Sequence, residues 1–177
     1  MRSTSVISAL FVATSVVASL VPKVTRREPE QFVPLWEEQL QGGGVLEYLG
    51  PDPTTTTPTR SLNVPRKACS SNPQPSCDTS HAANNELCSE LVDSLYATSR
   101  NTVQKSPRQV CYKENDSFCC TSWSDAVNSL TQGDLADNAN AILKQCTING
   151  ISGQINGVNL GGVCLDQCLS DRGKGCT

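Results

Sequence analysis

The sequence predicts an α+β domain, a small disulfide-rich αβα sandwich whose mostly antiparallel sheet carries a helix on each face. Three observations predict it. All ten cysteines fall at or after Cys69, so an oxidised domain begins there. Two segments repeat apolar residues at helical spacing, and two others alternate about turn-forming residues. The third is the adjacent pair Cys119-Cys120. Neighbouring Cα atoms lie about 3.8 Å apart, below the roughly 4.4 Å a bridge needs, so the two do not bond to each other. On a strand they point to opposite faces. Cys88 and Cys146 each sit on the apolar stripe of a helix. One helix per face follows, each bridged to one member of the pair.

Residues 1–18 have the parts of a signal peptide: Arg2, an apolar run from Val6 to Val17, and the small-residue site Val16-Val17-Ala18. The run is short for a bilayer span and is broken by Ser8, Thr14 and Ser15, so secretion is expected over anchoring. Residues 19–67 read as a pro-segment or a disordered linker. The basic pairs Arg26-Arg27 and Arg66-Lys67 suit a processing protease, or are simply solvated. Between them Gly42-Gly43-Gly44 and the Pro51–Pro58 stretch with four threonines resist packing. Phe32, Leu35, Trp36, Leu40, Leu46 and Leu49 would suffice for a short docking helix within that segment.

Residues 68–177 form the stapled domain. Its cysteines, Cys69, Cys77, Cys88, Cys111, Cys119, Cys120, Cys146, Cys164, Cys168 and Cys176, are even in number and imply five bridges. A first helix runs from about Ala83 to Ala97 on Leu87/Cys88, Leu91/Val92 and Leu95/Tyr96. Arg108–Lys113 and Phe118–Trp123 flank Glu114-Asn115-Asp116-Ser117, a hairpin. A second helix begins near Thr131, where Asp134 completes a capping box, and stops by Asn149-Gly150. Ile155–Leu160 and Val163–Ser170 form a second hairpin about Gly161-Gly162.

Composition narrows the chemistry. A net charge of −3 leaves no footprint for nucleic acid or an anionic membrane surface. His81 is the only histidine, there is no Gly-x-Ser-x-Gly elbow, and Asp134 with Asp137 need only the helix dipole to explain them. Catalysis, a cofactor and a metal are therefore not expected, the Cys164-x-x-x-Cys168 spacing included. Trp123 reads two ways, as the domain's largest core residue or as a sugar-stacking ring. On the second reading the ligand contacts are Trp123, Ser122, Asp125 and Asn128, with further hydroxyls from Thr121 and Ser124. Asn115-Asp116-Ser117 is an N-glycosylation sequon, which suits a surface turn.

Several segments together carry a resemblance. They are Cys77-Asp78-Thr79-Ser80-His81, Ser106-Pro107-Arg108-Gln109-Val110-Cys111-Tyr112, Cys119-Cys120-Thr121-Ser122-Trp123, Gly150-Ile151-Ser152-Gly153 and Cys168-Leu169-Ser170-Asp171-Arg172. From about Cys69 to Cys176 the chain resembles the secreted fungal cysteine-rich family of the mushroom lectin Y-three, whose filamentous-fungal members carry the label WD-like. The resemblance implies an αβα sandwich, recognition of fucosylated or amino-sugar glycans, and homodimerisation through a sheet edge. The expectation is a secreted, non-enzymatic glycan-binding protein whose partners are glycans or cell-wall carbohydrate. The alternative is a small secreted effector or inhibitor that binds a host or competitor protein.

Overall fold

A computed structural model of the chain describes residues 32–52, 54, 68–104 and 107–171. The leader, Arg26-Arg27, Arg66-Lys67 and Cys176 lie outside the described residues.

Strands β1 (Phe32–Gln39), β2 (Val45–Pro51), β3 (Pro75–Ala82), β5 (Gln109–Glu114), β6 (Ser117–Trp123), β8 (Ile151–Leu160) and β9 (Val163–Ser170) form one antiparallel sheet. Its order is β1-β2-β5-β6-β9-β8-β3. Strands β4 (Thr102–Val103) and β7 (Leu130–Thr131) pair separately as a short ribbon. Both expected hairpins are present as β5–β6 and β8–β9. The second turns through Gly161 and Gly162 at φ 53° and 82°, a left-handed pair that side chains other than glycine adopt at a cost.

Helix α1 (Asn85–Ala97) starts where the Asn84 side chain accepts a hydrogen bond from Leu87 N. Leu87, Cys88, Leu91, Val92 and Leu95 form its buried stripe. Helix α2 (Gln132–Gln145) starts on the expected box: Thr131 Oγ1 accepts from Asp134 N, and the Asp134 carboxylate accepts from Thr131 N. A 3-10 turn, Thr147–Asn149, follows α2, and Gly150 at φ 75° closes it.

Both helices lie on the same face of the sheet, which corrects the expectation of one helix per face. Cys119 on β6 is bonded to Cys88 of α1, so it marks that face. Two residues on, Thr121 shares its side and pairs with Leu169, which pairs in turn with Gly153 of β8. A Cβ on Gly153 would meet Ile142 and Cys146 of α2. The inner sides of both helices and of the sheet make one core, including Leu91, Leu95, Leu135, Ala139, Ile142, Ile155 and Leu169.

The bridges explain why the cysteine pair misled. Cys88–Cys119 does tie a helix to the pair. Cys120, on the other face, bonds to Cys111 directly opposite it on β5 and needs no helix. Cys146, at the end of α2, bonds to Cys77 on β3. Cys69–Cys164 anchors the chain entering the domain. Cys168 is also disulfide-bonded.

Residues 32–51, expected to be linker or docking helix, form the β1–β2 hairpin and extend the sheet beyond β5. Leu46 and Tyr48, two apart, are buried, which is strand rather than helix periodicity. The glycine triplet supplies the turn, with Gly43 at φ 98° and Gly44 pressed against the Tyr112 ring, where no Cβ fits. Pro34 is tolerated because β1 is an edge strand. Among the described residues no helix is long and apolar enough to cross a membrane.

Candidate functional site

A one-residue bulge in β1 builds the first of two candidate sites. Pro34 pairs with Leu49, but the next pair is Trp36 with Tyr48, so the register slips between them. Without the slip, alternation would aim Trp36 at the helix-free side with Phe32 and Pro34. With it, Trp36 and Glu38 turn to the helix side, where Tyr48 also lies. The Trp36 and Tyr48 rings stack with centroids 4.5 Å apart and planes inclined by 17°.

Tyr48 sits at the centre of a short hydrogen-bond chain. Its hydroxyl donates to Glu38 Oε2 at 3.2 Å and accepts from Gln132 Nε2 at 2.6 Å. The other end of the Gln132 amide, Oε1, accepts from Thr98 Oγ1. Burial, then the Glu38 charge and the hydrogen bond to it, raise the Tyr48 pKa well above the usual phenol range, so the hydroxyl stays protonated. The far wall is held by backbone: Gln132 N donates to Asn101 O, and β4 pairs with β7. Between the walls is a cleft of about 260 Å³ lined by Trp36, Glu38, Tyr48, Asn101, Thr102, Gln104 and Gln132. It combines an indole face, a carboxylate, three amides and two hydroxyls.

The second site is a groove of about 230 Å³ on the helix-free face. Ser76, Asp78 and His81 of β3, Ser152 and Gln154 of β8, and Ser170 of β9 line it. His81 Nε2 lies 3.5 Å from Asp78 Oδ2. The groove is polar, and no Phe, Tyr or Trp lines it among the described residues.

The residues expected to touch a ligand do not come together in either place. Trp123 is 2% exposed within the helix-side core, and its indole N–H finds no hydrogen-bond partner among the described residues. The ring therefore packs as part of the core. Ser122 is buried on the opposite face, while Asp125 and Asn128 are exposed on the following loop and line neither cavity. Asn115 is exposed at the tip of the β5–β6 turn with φ 54°.

Trp36, Glu38, Tyr48 and Gln132 were not expected as site residues. The available signal was the glycine triplet between two stretches with alternating Leu46 and Tyr48, which marks a hairpin and not a linker.

A model of the fungal WD-like family matches residues 57–176. The chain belongs to the fungal WD-like family. Neither a curated protein nor a solved structure matches it. The WD-like match covers Asn101, Thr102, Gln104 and Gln132 but begins after β2. Trp36, Glu38 and Tyr48 therefore come from a hairpin that precedes the matched span, added at the β5 edge of the sheet.

Proposed function

We propose that this protein is a secreted, non-catalytic carbohydrate-binding protein whose ligand lies in the Trp36 cleft. The observation that carries the reading is the Trp36 ring, half-buried on its edge strand and backed by Tyr48, in a cleft otherwise lined by carboxylate, amide and hydroxyl groups. A pyranose has apolar C–H faces and a polar rim, so it needs both features at once. Backing one ring with another fixes the platform before the ligand arrives, which reduces the ordering cost of binding. The bridges suit an oxidising compartment, in keeping with the leader.

The test is a glycan array probed with the secreted protein, followed by calorimetric titration of any hit. Binding should be retained at least in part by Trp36→Phe and lost in Trp36→Ala, with both variants showing the wild-type unfolding transition shape. An array without hits, or hits indifferent to Trp36→Ala, would sink the reading. A stable complex with a protein, insensitive to competing sugar, would replace it with the effector or inhibitor alternative.

A further inference from the structure

We propose that the Trp36 cleft selects a protonated amino sugar, that is, a glycan bearing free 2-amino-2-deoxyhexose units rather than neutral or N-acetylated ones. The inference rests on the carbohydrate-binding reading and narrows its ligand class.

Among the described residues, Glu38 is the only charged one lining the cleft. It is half-buried, and Tyr48 Oη is 3.2 Å from its Oε2. Among the described residues no lysine or arginine is paired with it. Lys113, on the β5 strand beyond β2, is bound instead to Glu47 at 2.8 Å. Glu47 stands opposite Cys111, on the helix-free side, so that ion pair belongs to the other face of the hairpin.

A carboxylate drawn partly out of water is commonly matched by a cation, because its charge is otherwise poorly compensated. Here the described residues supply only a neutral phenol hydroxyl. Trp36 beside it adds a second cation-attracting surface, the indole face. A carboxylate and an aromatic face around one cavity form the chemical pattern for an ammonium group. The Asn101 and Gln104 amides and the Thr102 hydroxyl provide donors and acceptors for ring hydroxyls. A neutral sugar would use the ring and the amides but leave Glu38 uncompensated. An acetamido sugar would place a methyl and a carbonyl where the carboxylate stands.

The bulge supports the same assignment. Slipping the β1 register between Pro34 and Trp36 moves Glu38 to the cleft side together with the ring. One irregularity thus delivers both members of the pair, as bulges next to binding sites do when they re-aim side chains. Tyr48 then locks the carboxylate from below, while Gln132 fixes the hydroxyl that does so.

The experiment titrates the full secreted chain, at mildly acidic pH and at low and raised salt, with three β-1,4-linked tetramers. They are the glucosamine tetramer, its fully N-acetylated counterpart and the plain glucose tetramer, which differ only at C2. The glucosamine tetramer should bind about tenfold more tightly than the glucose tetramer, a preference that shrinks at raised salt. Glu38→Gln, isosteric and able to keep the Tyr48 contact, should abolish the preference while retaining weak binding of all three. Trp36→Ala should weaken all three, and unfolding curves check that each variant is folded.

Equal binding of the three tetramers, tightest binding of the N-acetylated one, or a preference that survives Glu38→Gln would overturn the amine assignment. Any of these, with Trp36 still required, leaves the carbohydrate reading standing. Absence of binding to the glucosamine tetramer likewise refutes the assignment, and the glycan array then decides the broader reading separately.

Discussion

The Trp36 and Tyr48 rings stack at 4.5 Å across an edge hairpin, and the Tyr48 hydroxyl carries that contact inward to Gln132 at the start of α2. The hairpin is therefore joined to the helix layer by a polar bond as well as by strand pairing. Replacing Tyr48 with phenylalanine keeps the ring and removes the hydroxyl with both of its hydrogen bonds. Gln132 Nε2, on a residue 2% exposed, then loses its partner, and so does Glu38 Oε2. Tyr48→Phe should cost about 1–2 kcal/mol in urea unfolding, with Trp36 fluorescence changing as the platform loosens. A cost near zero would mean the bond is not holding the hairpin to α2.

The same hydroxyl sets an alkaline limit. Its folded pKa is raised above the ordinary 10.0, because burial and Glu38 both oppose the phenolate. The protonated form is thus favoured by folding, and that contribution is complete below about pH 10. It is lost as the pH climbs beyond that value, where the unfolded chain releases the proton and the folded chain holds it. Unfolding free energy should fall as the pH rises above about 10, and fall less steeply in Tyr48→Phe. Tyr96 and Tyr112 are shifted in the same direction, so the difference between the two proteins isolates Tyr48. Parallel curves would contradict the assignment.

What the sequence disclosed follows the range of its signals. Both helices and both later hairpins were legible because each is written locally: the Thr131–Asp134 box, the Leu87-to-Leu95 stripe, the Gly161-Gly162 turn. The sidedness of the helices was not. Cys119-Cys120 does point to two faces, but the partner of the outward member is a strand neighbour, Cys111, and pairing across strands is set by register. The cleft was hidden for a similar reason. Trp36 meets Glu38 and Tyr48 only through a bulge, and meets Gln132 only through tertiary packing across 96 positions (132 − 36) of chain. Trp123 drew attention by its polar neighbours, yet alternation sends Ser122 to the far face and the ring itself into the core.

Gly153 offers a direct check that α2 lies where it does. An added Cβ would stand 2.6 Å from Ile142 Cγ2 and 2.7 Å from Cys146 Sγ, both on the helix side. Gly153→Ala should therefore destabilise by about 1–3 kcal/mol through overpacking. Gly42 in the β1–β2 turn meets nothing within 4 Å, so Gly42→Ala should change stability by less than about 0.5 kcal/mol. Similar costs at the two positions would contradict the placement of α2 over β8.

The bridges should differ in worth according to the chain they close. Cys88–Cys119 spans a separation of 31 residues and Cys111–Cys120 only 9. Loop-closure entropy alone makes the longer one worth about 1 kcal/mol more. Packing adds to the difference, since Cys88 and Cys119 join α1 to the main core, whereas Cys111 and Cys120 sit in the small cluster with Leu49 and Phe118. Replacing each pair with alanines and comparing denaturant midpoints should rank Cys88/Cys119 as the more damaging loss. The Cys111/Cys120 variant should keep a cooperative transition, because strand pairing between β5 and β6 already holds those residues opposite one another. The reverse ranking would mean that the helix-free face depends on its staple more than the core depends on the helix tether.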